Sequence, residues 1–188
     1  MLAPAPPDVV IAIRTLIALV FLSAAIGKMR NWRIFRGVVA NYRLLPQVLV
    51  GAVTYALPPV EAVIGAILPT GLFAPWADAA AAVLLGAFAV AMGINLLRGR
   101  RHIDCGCFQS ALKQTLRWTL VSRNTLLALL LVAADAAPSG RPDGWTVANG
   151  LLAGGALFVV LQSLNALWAV IPAVRRPSRA GIQMEGTS

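Results

Sequence analysis

The two cysteines of this chain, Cys105 and Cys107, are separated by a single glycine, a spacing that suits redox chemistry. Gly106 can adopt backbone dihedrals closed to other residues, which helps two sulfur atoms meet across so short a loop. A disulfide there is expected to be strained, because Cα separations in disulfides cluster near about 5.5–6 Å. Strained disulfides are the labile or catalytic ones. The spacing therefore favours a reversible dithiol–disulfide centre.

Charged and aromatic neighbours surround this motif. Arg101 and His102 precede it, and a cationic environment favours the nucleophilic thiolate. Asp104 and Phe108 flank it directly. A purely structural disulfide would constrain almost nothing in so short a loop. Two alternatives stay open, since the cysteines could be inert or could bind a soft metal together with His102. No metal site is assigned, because His102 and Asp104 lack the helical i, i+4 spacing of firmer metal motifs.

Glu61 is the only carboxylate deep within a predicted helix, and Arg14 lies inside the first apolar segment. A carboxylate charge in lipid is costly, so Glu61 should face the interior of a helix bundle or be protonated. Arg14 lies in the adjacent antiparallel segment and is its expected partner. The functional interpretation is proton handling or ligand binding, and the alternative is a buried pair that fixes helix register.

The elements that must position these residues are long apolar segments. Hydrophobic residues make up 59% of the 188 residues and charged residues 12%, and the mean hydropathy is +0.76. Since a spanning helix needs about 20 apolar residues, we predict an all-α, polytopic membrane helix bundle with a four-helix core and a fifth helix. One transmembrane domain is expected over residues 1–174, followed by a polar tail over 175–188, with helices at about 9–26, 48–68, 76–97, 116–136 and 145–170.

The connector after the first segment is basic and carries aromatic residues typical of a membrane interface. Gly27 and Lys28 are predicted to close the first helix. The stretch from Trp32 to Tyr42 is predicted to form a helix lying on the membrane surface. In the second segment, Pro58 and Pro59 predict a kink or an unwound turn.

The distribution of charged residues predicts both the partner of the basic residues and the orientation of the chain across the membrane. The formal net charge is +9, but the basic residues flank apolar segments, which favours a lipid bilayer and no nucleic acid as the partner. Five crossings put both basic connectors and the tail on one side, with all of the 16 lysines and arginines except Arg14 and Arg141. The positive-inside rule then predicts that this side, which includes the cysteine loop, is cytoplasmic.

The chain resembles the methylamine utilisation protein MauE family, within the broader MauE/DoxX group of redox-associated membrane proteins. The resemblance covers about residues 10–135, and family members usually have glycine where this chain has Gln109. The matching residues are Asp104-Cys105-Gly106-Cys107-Phe108, Asn95 to Arg100, Gly27-Lys28, Tyr42 to Pro46, Pro59-Val60-Glu61 with Gly65, and Arg123-Asn124.

This resemblance implies a multi-pass protein of the bacterial inner (cytoplasmic) membrane that is needed for maturation of methylamine dehydrogenase. It implies disulfide formation or isomerisation in the small (β) subunit of that enzyme, with MauD, a thioredoxin-like protein, as the partner. Cys105 and Cys107 would be the redox pair that keeps MauD in its working state. A membrane quinone is a candidate electron donor or acceptor by analogy with vitamin K epoxide reductase-like proteins, although no quinone motif is visible.

The predicted orientation and the implied partner conflict, because MauD faces the periplasm whereas the charge rule puts the cysteine loop in the cytoplasm. Either the loop dips into the bundle, or electrons cross the membrane, or the charge rule fails. Two other functional classes remain as alternatives. One is a metal-handling or transport protein that uses the C-x-C pair, and the other is a non-redox scaffold for client export.

Overall fold

A computed structural model describes residues 6–100, 116–136 and 142–174, with side chains in the last range as far as Leu167. Across these ranges the chain is helical and contains no strand, and all helices except the second are long and apolar enough to cross a membrane. The predicted all-α membrane bundle is therefore confirmed. The helices are α1 (Pro7–Arg30), α2 (Trp32–Tyr42), α3 (Gln47–Ile67), α4 (Ala74–Leu97), α5 (Trp118–Ala136) and α6 (Gly144–Val174).

The first helix, α1, is the centre of the bundle. Its buried residues point in all directions, as expected for a helix that is apolar all round. It packs against α3 on one side and α6 on another, and it also contacts α5, while α4 packs mainly on α5. The main core joins Ile17 and Phe21 of α1 to Leu85 of α4 and Leu131 of α5. Polar side chains on α1 can therefore be shielded from lipid by its neighbours.

Small residues let α6 approach α1 closely. A Cβ atom added at Gly150 would lie 2.6 Å from Ile11 Cβ, and one added at Gly154 would lie 2.6 Å from the Ala12 carbonyl oxygen. Close backbone approach at small residues is a common way for membrane helices to associate by van der Waals packing. The contact between α1 and α6 thus depends on these two glycines.

Several helix ends differ from the predicted limits. The first helix continues to Arg30, so the prediction that Gly27 and Lys28 close it is wrong. A charged side chain does not interrupt backbone hydrogen bonding, and here the lysine is buried instead. The helix α3 passes through Pro58 and Pro59 without an unwound turn, and a short 3₁₀ helix, Leu68–Thr70, continues it. The connector helix is present as α2, from Trp32 to Tyr42.

The last helix begins at an acidic cap. The Thr146 backbone N–H donates a hydrogen bond of 2.8 Å to Asp143 Oδ1. Hydrogen bonds from the Thr146 side chain and backbone together hold the pKa of the exposed Asp143 carboxyl below its usual range. Such a cap satisfies one of the backbone donors left free at a helix start. The helix then runs past Pro172, before which it was predicted to end. The predicted polar tail, 175–188, lies outside the described residues.

Candidate functional site

A buried ion pair joins α1 to α3 inside the bundle. Lys28 Nζ donates a hydrogen bond to Glu61 Oε1, and the two side chains are 4% and 0% exposed. A charge at this depth is tolerated when it is paired and hydrogen-bonded. The prediction that Glu61 faces the bundle interior is borne out by this position.

The lysine of this pair also faces two aromatic rings. Its Nζ atom lies 4.9 Å from the ring centroid of Phe88 on α4 and 5.3 Å from that of Phe35 on α2. Both distances allow a cation–π attraction, which gains strength where water is excluded. Lys28 is thereby held by contacts with three other helices at once.

A small cavity lies beside the ion pair, with a volume of about 20 Å³, enough for roughly one water molecule. Arg123 and Asn124 of α5 line it together with Lys28 and Glu61. Arg123 Nη2 donates a hydrogen bond of 3.2 Å to Asn124 Oδ1. Among the described residues, the lining of this cavity therefore carries the cationic side chains of Lys28 and Arg123 and the carboxylate of Glu61.

A glycine on α3 sets the depth of Glu61. Gly65 follows it by four residues and so shares its helix face. A Cβ atom at Gly65 would lie 2.9 Å from Leu22 Cγ and 3.0 Å from the Ala18 carbonyl oxygen, so the two helices touch there. Glu61 is one turn before Gly65 in α3, level with the last turns of α1. Lys28 is the residue that meets it at this level.

The expected pairing of Arg14 with Glu61 is wrong. Arg14 instead forms a two-pronged contact with Asp78 of α4, with Nε 3.0 Å and Nη2 2.5 Å from Oδ2. Asp135 of α5 lies 3.9 Å from the same Nη2. Arg14 and Glu61 do not pair because they lie at different depths in the bundle. Arg14 is level with the turn after α3, where its Nη1 lies 3.8 Å from a Cβ built at Gly71.

Two charged clusters therefore occupy different depths. Lys28 follows Arg14 by fourteen residues, which is about 21 Å along the axis of α1 at 1.5 Å per residue. Sequence reasoning missed Lys28 because it was taken as a helix end, and it missed Asp78 because it lies near the start of its helix. The spacing of fourteen, close to four helical turns, is a signal that both cations share one face of α1.

Both cysteines lie outside the described residues, as do Arg101, His102, Asp104, Gly106 and Phe108. The two described ends of their segment are fixed at the same end of the bundle. Arg100 Nη1 lies 3.5 Å from the Asn41 carbonyl oxygen at the end of α2. Leu116 is fully buried in a cluster with Met92 and Leu96 of α4, against which Tyr42 also packs.

An apolar pocket of about 330 Å³ opens beside the ion pair, between α2, α3 and α4. Its walls are aliphatic and aromatic, with Lys28 and Tyr42 as the residues that carry polar side-chain atoms. We call this space the α2–α4 pocket. It is lined by Lys28, Phe35, Val38, Val39, Tyr42, Leu44, Leu45, Val53, Leu57, Leu84, Ala87, Phe88, Ala91 and Met92.

The ligands of a metal site are not found together in the described part of the chain. Within residues 6–100, 116–136 and 142–174, no group of three or more His, Cys, Asp or Glu side chains could hold a metal ion. The residues on which the metal alternative depends, the two cysteines and His102, are outside those ranges.

Comparison with known proteins gives one consistent result. The family described as "Methylamine utilisation protein MauE" matches residues 7–136. The chain is 45% identical over 164 residues to the methylamine utilization protein MauE of Paracoccus denitrificans, covering 86% of this chain and 88% of that protein. It is 42% identical to the Paracoccus versutus protein, with 92% of each chain covered. It is 38% identical to the Methylorubrum extorquens protein, covering 87% and 89%. No solved structure matches the chain significantly.

Proposed function

Since this chain belongs to the methylamine utilisation protein MauE family, we propose that it is a thiol–disulfide redox protein of the bacterial inner membrane that serves methylamine utilisation. Its client is the small subunit of methylamine dehydrogenase, and its direct partner is the thioredoxin-like protein MauD. Cys105 and Cys107 are the reacting residues. The chain itself is a multi-pass membrane protein with five spanning helices.

The position of the charged cluster at the base of the cysteine segment is the observation that carries this proposal. Arg100 and Leu116 hold the two ends of the segment at the end of the bundle where Lys28 and α2 lie. In the sequence, Arg98, Arg100 and Arg101 precede Cys105 within seven residues. Cationic surroundings favour thiolate over thiol, and the thiolate is the attacking species in disulfide exchange.

The exchange reaction balances between two pairs of sulfur atoms. A thiolate of the Cys105–Cys107 pair attacks a sulfur of the partner disulfide, and a mixed disulfide forms as the other partner sulfur leaves as a thiolate. The second cysteine of the pair then attacks the mixed disulfide and releases the partner as a dithiol. Two electrons have moved from this protein to its partner, and the reverse sequence moves them back.

Trapping the mixed disulfide tests the proposal. Cys105→Ser and Cys107→Ser should each be expressed with MauD, because either cysteine can be the first to attack. One of the two variants should accumulate a covalent adduct with MauD that disappears on reduction, and the variant that lacks both cysteines should not. If neither single variant forms an adduct, and methylamine dehydrogenase still matures with both cysteines replaced, the proposal is wrong.

A further inference from the structure

The α2–α4 pocket has the properties of a binding site for a flat, uncharged, oxygen-bearing ring. Its volume of about 330 Å³ lies at the lower end of the range for small-molecule sites, which are mostly apolar with few polar groups. Phe35 and Phe88 provide two aromatic walls, and Lys28 lies between them. An apolar ring that carries a hydrogen-bond acceptor would suit this combination.

Lys28 is the donor that such a ligand would meet. Its ammonium group has three N–H donors, of which one goes to Glu61, while the neighbouring aromatic rings accept no conventional hydrogen bond. The charge of Lys28 is balanced by Glu61, so the pair favours a neutral acceptor such as a carbonyl oxygen over an anion. The lipid phosphate group is disfavoured for the same reason.

The pocket can be reached from the bilayer. The helices α3 and α4 pack mainly against α1 and α5 and touch each other little, which leaves a cleft between them. Leu45 and Ala87, on the two sides of the pocket, are exposed on the outer surface of the bundle. A hydrophobic molecule dissolved in the membrane could therefore enter with its ring first and leave its tail in the bilayer.

The pocket also adjoins the ends of the cysteine segment. Tyr42, Phe88 and Met92 line it, and the same three residues belong to the cluster that buries Leu116. A dithiol that is oxidised repeatedly needs a two-electron acceptor, and quinones are the lipid-soluble molecules that combine this chemistry with a flat ring and carbonyl oxygens.

We infer that the α2–α4 pocket binds the ring of a lipid-soluble quinone, with Lys28 donating a hydrogen bond to one carbonyl oxygen. This inference rests on the redox function proposed above. In the step that it supports, a partner dithiol has first reduced the Cys105–Cys107 disulfide by the reverse of the exchange described above. The resulting Cys105–Cys107 dithiol then loses two electrons and two protons as its S–S bond forms again. Both electrons and both protons end on the quinone, which leaves as the quinol. Lys28 stabilises the negative charge that develops on the ring oxygen, and Glu61 positions Lys28.

A pocket-filling variant with a matched control tests the inference. Ala91→Phe places a ring inside the pocket, whereas Val90→Phe places one on the lipid-facing side of the same helix, where Val90 is 61% exposed. The full-length protein in nanodiscs is titrated with decyl-ubiquinone, and quenching of intrinsic tryptophan fluorescence is measured. Saturable binding should weaken at least tenfold in Ala91→Phe and change less than twofold in Val90→Phe. Thermal unfolding of both variants checks that they fold.

The same titration separates this inference from the proposed function. The variant with both cysteines replaced by serine should still bind decyl-ubiquinone, because the described lining residues, which include Lys28 and both aromatic walls, are unchanged in it. If a single-cysteine variant traps MauD but the wild-type protein shows no saturable quinone binding, the inference is wrong while the redox function stands. Equal binding by Ala91→Phe and the wild type also contradicts it. A phospholipid that co-purifies in the pocket and is not displaced by decyl-ubiquinone would also contradict the inference.

Discussion

Lys28 of α1 and Glu61 of α3 form an ion pair in which both side chains are almost completely shielded, at 4% and 0% exposure. Removal of one partner leaves the other charge buried, which typically costs about 3–5 kcal/mol. We therefore expect Lys28→Met and Glu61→Leu each to lower the free energy of unfolding by about that amount. The double variant should recover most of the loss, as measured by denaturant unfolding in detergent micelles. Losses that simply add in the double variant would contradict a direct pair.

The partner choice of Arg14 gives a second prediction. In a double-mutant cycle, Arg14→Met and Asp78→Leu should show a coupling energy of about 1 kcal/mol or more, because their side chains share a two-pronged contact. The matched cycle of Arg14→Met with Glu61→Leu should be additive to within about 0.5 kcal/mol. The same unfolding assay measures both cycles. Strong coupling between Arg14 and Glu61 would contradict the Arg14–Asp78 contact and support the pairing expected from sequence.

Two adjacent glycines of α6 give a third prediction. Gly154→Ala should lower the melting temperature, because its Cβ would lie 2.6 Å from both the Ala12 carbonyl oxygen and Thr15 Cβ. Gly155→Ala is the matched control, since its Cβ would meet nothing within 4 Å. Alanine is favoured over glycine by about 1 kcal/mol inside a helix, so this control should leave stability unchanged or raise it. Equal melting temperatures for the two variants would show that α6 does not pack on α1 as described.

The cap of α6 gives a pH-dependent prediction. Hydrogen bonds from the Thr146 side chain and from its backbone N–H lower the pKa of the Asp143 carboxyl from its ordinary value of 3.8. The stabilisation is therefore fully present above that value and is lost as the pH falls through the lower pKa of the folded protein. Asp143→Ala should be less stable than the wild type at pH 7, and the difference should shrink below about pH 4.

Asp143→Asn is the control for this cap. Asparagine keeps the side-chain oxygen that accepts from Thr146 but does not titrate. Its stability relative to Asp143→Ala should therefore be independent of pH between pH 3 and pH 7, by roughly the reference titration range of a carboxyl. The measurement is thermal unfolding followed by circular dichroism across that range. A pH-dependent difference between these two variants would mean that another group causes the effect.

The bundle was predictable from sequence because each spanning helix is a long apolar run, and length in residues converts directly into membrane thickness. The helix from Trp32 to Tyr42 was predictable because it is amphipathic. The continuation of α1 past Lys28 was not predictable, since a charged residue next to an apolar segment is normally taken as the helix boundary. Lys28 can be buried because its charge is paired with the carboxylate of Glu61.

The charge pairs required three-dimensional information. Adjacent antiparallel helices can pair any two residues at the same depth, and depth depends on how the intervening helix α2 shifts α3 relative to α1. A sequence that shows Arg14 and Glu61 on neighbouring segments does not contain that shift. Asp78 was overlooked because a carboxylate near the start of a helix is usually solvated, whereas here α1 and α5 cover it. The reactivity of Cys105 and Cys107 remains a prediction from their spacing and from the family.

A redox titration of the two cysteines tests the central claim most directly. The purified full-length protein is equilibrated in buffers with defined ratios of oxidised to reduced dithiothreitol. Free thiols are then labelled with a maleimide reagent and counted from the increase in protein mass. We expect both thiols to appear and disappear together in a two-electron transition. The ratio of the disulfide form to the dithiol form should change tenfold for about every 30 mV of potential. Two thiols that stay free at every potential, or that are modified independently of each other, would contradict the account.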